Sequence, residues 1–134
     1  MKFNDFVAAQ IRIARPTDQF NRVIDFYVNG LGLVELERFK GHRGYEGVVI
    51  GLPNSDYHLE FTHHIDGSPC PAPTRDNLLV FYIEDYEQIR SVTSRLVEMG
   101  YREVAPENEY WKEEGVTIED PDGWRVVLMN RTYG

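Results

Sequence analysis

The sequence predicts an α+β protein made of two similar units, each a strand, a helix and three more strands. Three observations carry this prediction. Strand-like alternation and helix-like spacing follow one another in the same order twice along the 134 residues. Between the two runs lies "IDGSPCPAPTRD" (65–76), with three prolines and a glycine, which is a linker by composition. In each predicted strand, one alternating set of side chains is apolar and the other mixed, as a sheet with two unlike faces requires.

The elements follow in order. "AAQIRIAR" (8–15) alternates and reads as a strand. In "PTDQFNRVIDFYVNGLG" (16–32), Pro16 and Thr17 suit a helix start, and Phe20, Val23, Ile24, Tyr27 and Val28 recur at helical spacing. Gly30 and Gly32 end that helix. Strands follow at 33–39, 45–52 and 57–64, separated by the turns "KGHRG" and "PNSD". This is module one, 8–64, and the linker follows it. Module two, 77–131, repeats the plan. "NLLVFYIE" (77–84) is a strand, and 85–100 is an amphipathic helix with Ile89, Val92, Leu96 and Met99 on one face. "YREVA" (101–105) is a strand, and 106–115 a polar loop with Tyr110 and Trp111. "VTIED" (116–120), the turn "PDGW" and "RVVLMN" (125–130) read as a hairpin. The chain is long enough for one compact domain with its own core.

The two faces predict where a ligand goes. Ile11, Ile13, Leu59, Phe61, Leu79, Phe81, Ile83, Val126 and Leu128 share the apolar parity and are expected under the helices. The other parity carries Gln10, Arg12, Ala14, His58, Glu60, Thr62, His64, Leu78, Val80, Tyr82, Arg125, Val127 and Met129. A face that is neither fully apolar nor fully charged suits a ligand cavity.

Bulk properties narrow the function class. Net charge is −8, from 14 basic and 22 acidic residues, which argues against nucleic acid and favours neutral or cationic ligands. No apolar run is long enough to cross a bilayer, and the N-terminus lacks a signal peptide's apolar segment, so a cytoplasmic protein without membrane contact is expected. The single cysteine, Cys70, excludes an intrachain disulfide.

"YHLEFTHH" (57–64) holds three histidines and a glutamate. His58 and Glu60 fall on one strand face, as do Thr62 and His64. Same-face neighbours lie roughly 7 Å apart at the backbone, so such a pair can chelate. If any metal is bound, Glu60 with His58 is the expected nucleus.

Three features resemble one family: "VIDFYVNGLGL" (23–33), "TIEDPDGWRVVL" (117–128) and the paired βαβββ order. They are similar to the vicinal-oxygen-chelate superfamily, which includes glyoxalase I, extradiol dioxygenases, fosfomycin-resistance enzymes and bleomycin-binding proteins. The resemblance covers nearly the whole chain. It implies two βαβββ modules forming curled mixed sheets around a shared cavity, and a homodimer. Metal-using members take one ligand from each of four strands. By the resemblance those places fall on Arg12, Glu60, Leu78 and Val127, and only Glu60 is a ligand type.

The resemblance therefore implies a metal-free cavity with no cofactor, binding a small, partly aromatic molecule, as the bleomycin-binding branch does. A divalent-metal-dependent lyase or dioxygenase of the glyoxalase type is the alternative. Arg12, Tyr82, Trp111, Arg125 and His64 are the expected ligand contacts. Chemistry, if there is any, falls to Glu60 as general base, positioned by Arg12, with His58 or His64 as proton carrier.

Overall fold

The computed structural model describes residues 6–131. Module one runs β1 (Ile11–Pro16), a helix α1 (Phe20–Ile24, continuing as Asp25–Gly30), β2 (Val34–His42), β3 (Tyr45–Gly51) and β4 (Tyr57–His64). Module two runs β5 (Leu78–Tyr82), α2 (Tyr86–Glu98), β6 (Arg102–Val104), β7 (Gly115–Glu119) and β8 (Arg125–Met129). The first sheet has the order β1-β4-β3-β2 and the second β5-β8-β7-β6. In each, the first and last strands of the module pair parallel and the remaining pairs are antiparallel. Among the described residues, the two sheets do not join through a shared strand pair.

Local chemistry sets the boundaries. Helix α1 begins at Phe20, later than Pro16 and Thr17 suggest, because the Thr17 hydroxyl accepts from Gln19 N at 2.9 Å and holds a turn there. It starts as an α-helix over Phe20–Ile24 and widens into a π-helix over Asp25–Gly30. Leu31 N reaches back to Phe26 O at 2.9 Å, one residue further than an α-helix allows. Helix α2 is capped by Asp85, whose side chain accepts from Glu87 N at 3.0 Å. It ends at Gly100, which takes φ 98°.

One core serves both modules. Phe26, Tyr27, Val48, Ile50 and Phe61 of module one pack with Ile89, Leu96, Ile118, Val126 and Leu128 of module two. The helices meet at Gly30, where a Cβ would stand 2.3 Å from Leu96 Cδ2. Arg95 Nε donates to Gly30 O at 2.8 Å, and the Tyr101 hydroxyl donates to Asp25 Oδ2 at 2.8 Å. The rings of Phe26 and Tyr101 meet edge to face at 5.0 Å.

A polar latch closes the same interface. Arg15 Nη2 donates to Asp120 Oδ2 at 2.5 Å, and the Tyr27 hydroxyl donates to the same oxygen at 2.7 Å. The Arg15 guanidinium lies between the rings of Phe61 and Trp124, 5.0 and 4.5 Å from their centroids. Thr17 and Gln19 bond Asp122 at 2.7 Å each. The linker is pinned to the same corner, since Trp124 Nε1 donates to Cys70 O at 2.9 Å. Burial pushes the Asp120 carboxyl above the usual carboxylate range, against the pull of Arg15 and Tyr27. Burial beside Asp120 likewise raises the Tyr27 phenol.

The face assignment needs one correction. Leu59, Phe61, Leu79, Phe81, Val126 and Leu128 lie in or against the core as their parity predicts. Ile11 and Ile13 share that parity but stay 47% and 57% exposed. β1 is an edge strand, and α1 packs over β4 instead.

Candidate functional site

β1 and β4 pair in parallel register, with Arg12 opposite His58 and Ala14 opposite Glu60. Side chains of this parity point away from the core, onto the open face of the first sheet. There Arg12 Nη1 donates to Glu60 Oε1 at 3.0 Å. The Arg12 side chain is 41% exposed and that of Glu60 17%, so the pair is accessible without lying loose in solvent. One step toward the strand start, Gln10 Nε2 donates to His58 Nδ1 at 2.5 Å. An amide nitrogen only donates, so Nδ1 is the acceptor and the His58 proton sits on Nε2. Two polar cross-strand pairs thus stand side by side, Gln10–His58 and Arg12–Glu60.

The remaining predicted residues are placed elsewhere. His64 ends β4. Its ring meets Tyr45 edge to face at 4.6 Å, and its Nδ1 accepts from Asp66 N at 3.1 Å. Arg125 is buried in the second sheet and committed there. Its Nε and Nη2 donate to Glu119 Oε2 at 3.3 and 3.2 Å, and its Nη1 to Ala105 O at 3.1 Å. Trp111 closes a 3₁₀ turn, Glu109–Trp111, and its ring meets Tyr110 edge to face at 4.9 Å. Tyr82 ends β5 and is 42% exposed. The structure therefore brings Arg12, His58 and Glu60 together, while Arg125 and Trp111 make their contacts within module two.

Metal chemistry is tested by the donor set. Of the four places, Arg12 carries a cation, Glu60 is tied to it, and Leu78 and Val127 donate nothing. Val127 is buried in the centre of the second sheet, paired with Val80. Among the described residues, no three His, Cys, Asp or Glu side chains converge on a common point. These residues do not fit a divalent ion, whose shell needs several N, O or S donors.

Sequence reasoning missed the latch. Arg15 shares the core-facing parity of Ile11 and Ile13, and a charge in that register is a signal for a buried partner. "EDPDG" reads as a turn, yet Asp120 and Asp122 also bond across to module one.

Comparison with known proteins places the chain. A YycE-like N-terminal domain model matches residues 11–62, and a YycE-like C-terminal domain model matches 76–130. The chain is 55% identical over 129 residues to the uncharacterized protein YycE of Bacillus subtilis, covering 96% of this chain and 93% of that one. The crystal structure of a YycE protein of unknown function from that organism superposes with a TM-score of 0.93, at 53% identity, over 100% of this chain and 98% of the other. Trypanothione-dependent glyoxalase I of Leishmania major gives 0.73 at 17% identity, covering 92% and 87%. TnmS3, an antibiotic-binding protein of Streptomyces sp. CB03234, gives 0.63 at 21% identity, covering 95% and 98%. The last two likenesses concern the fold alone.

Proposed function

The chain belongs to the YycE-like family and has the vicinal-oxygen-chelate fold, and on that premise we propose that it is a metal-free binding protein for a small, partly aromatic molecule. One observation carries the reading: Arg12 and Glu60, at two of the places that the resemblance assigns to metal ligands, form an ion pair with each other. The guanidinium already supplies the positive charge that a cation would bring. Its uncommitted N–H groups can still donate to a ligand oxygen.

The ligand lies on the open face of the first sheet. Arg12, Glu60 and His58 form the floor and His64 the far edge. A second copy of the chain completes the site by laying its second sheet over that face, so that Tyr82 and Trp111 approach from above. The exposed Arg12 and the unclosed sheets support this. TnmS3, named as an antibiotic-binding protein, has the same fold. The net charge of −8 favours a neutral or cationic molecule.

The test is a thermal-shift screen of neutral and cationic aromatic compounds, followed by affinity measurements on the strongest stabiliser. Ligation by the folded state raises the melting temperature by mass action. Glu60→Gln and Trp111→Ala are each expected to weaken that affinity about tenfold, the loss of one good contact. If both variants bind as wild type does, the site is misplaced.

A further inference from the structure

On the floor of the first sheet's open face, Arg12 can only donate hydrogen bonds and the Glu60 carboxylate can only accept them. His58 can do either. A neutral imidazole donates from one nitrogen and accepts at the other, so the partner of the first nitrogen decides what the second offers.

The neighbouring strands settle how the ring stands. β4 runs between β1 and β3. On one edge of the ring, Nδ1 accepts from the Gln10 side-chain amide, just before β1, at 2.5 Å. On the other edge, Cδ2 lies over Gly51 of β3, the residue paired with His58, where a Cβ would stand 2.9 Å away. With one edge turned toward each neighbouring strand, the tip of the ring, Nε2 and Cε1, points out from the sheet. A ring turned over would set a C–H against the Gln10 amide and lose that bond. Nε2 therefore carries the proton, and among the described residues it has no acceptor. Arg12 is the cross-strand neighbour of His58, and its bond to Glu60 uses Nη1 alone. Two sources of unused N–H groups thus occupy adjacent places on the floor.

Resting on the reading that this open face binds the ligand, we propose that Gln10 is a positioning residue: by fixing the His58 proton on Nε2 it makes the site select an aromatic molecule that presents a carbonyl oxygen there. A group that only accepts matches both donors, whereas an apolar group would cover them and leave them unmet. The oxygen belongs to a carbonyl and not to a carboxylate, because Glu60 stands beside it and the chain carries a net charge of −8.

The test joins NMR of the imidazole nitrogens to a pair of probes, acetylnaphthalene and ethylnaphthalene. It is run at about pH 9, well above the ordinary imidazole range, so that His58 is neutral. Wild type is expected to show His58 protonated on Nε2 and bare on Nδ1, and to bind the ketone about three- to tenfold more tightly than the hydrocarbon, the worth of one hydrogen bond. Gln10 is exposed, so its replacement leaves the core untouched. In Gln10→Glu the new carboxylate only accepts, so the proton moves to Nδ1 and the ketone preference disappears, while ethylnaphthalene binds as before. In Gln10→Leu the two tautomers mix and the preference falls between. The proposal is overturned, with the binding face intact, if wild type carries the proton on Nδ1, if Gln10→Glu does not move it, or if the preference survives the move. If neither probe binds wild type, or if binding leaves the His58 signals unmoved, the reading of the open face fails and the proposal falls with it.

Discussion

At the scale of single residues, the Arg12–Glu60 pair separates stability from function. Both side chains keep some solvent access, and pairs of that kind contribute at most about 1 kcal/mol. Glu60→Ala is therefore expected to change unfolding free energy by no more than about 1 kcal/mol in urea titration. A loss of several kcal/mol would mean that Glu60 is a structural ion, not a site residue. The placement of Glu60 and Arg12 on one face was legible from period-two alternation alone. The Gln10–His58 bond was not, because it depends on the parallel register of two strands 48 residues apart. Arg15 carried a legible warning, a charge in a core-facing register, but its partner lies 105 residues away. No local pattern identifies such a partner.

Elements were legible where hydrophobic period and turn residues agreed. Tyr57–His64 has the bounds its alternation and the preceding "PNSD" turn predict, and α2 is delimited by Asp85 and Gly100. The widening of α1 into a π-helix left no mark in its apolar spacing. Its consequence is the close approach at Gly30. Gly30→Ala would drive a methyl group into Leu96 and is expected to cost about 1–3 kcal/mol, the range of overpacked cores, in denaturant unfolding. A neutral result would mean that the helices slide apart freely. Tyr101 bridges the same helices. Burial and its bond to Asp25 raise its phenol from 10.0 to about 12. A phenol held protonated in the folded chain contributes stability that is whole below pH 10 and is lost as pH rises from 10 toward 12. Tyr101→Phe should flatten that alkaline decline in stability, with Tyr27 supplying what remains. An unchanged slope would contradict the assignment.

Over the whole molecule, the relation between modules rests on the shared core and the Arg15–Asp120–Tyr27 latch. Asp120 is 4% exposed, and removing it strands the Arg15 cation between two rings. Asp120→Ala is expected to destabilise by about 3–5 kcal/mol, as broken buried pairs do. A loss under about 1 kcal/mol in urea unfolding would show that the apolar core alone holds the modules together. The fold class was readable because both modules repeat one plan, and the family relationship confirms it. How the modules face each other was not, since that depends on contacts between residues far apart in the chain.

The central claim is that an ion pair replaces the metal of the fold. Its most direct test is the metal content of protein purified without chelator, read together with melting curves in added Zn²⁺, Ni²⁺, Mn²⁺ and Fe²⁺. Substoichiometric metal and no shift in melting temperature are expected. Near-stoichiometric metal and a stabilisation that Glu60→Ala abolishes would contradict it.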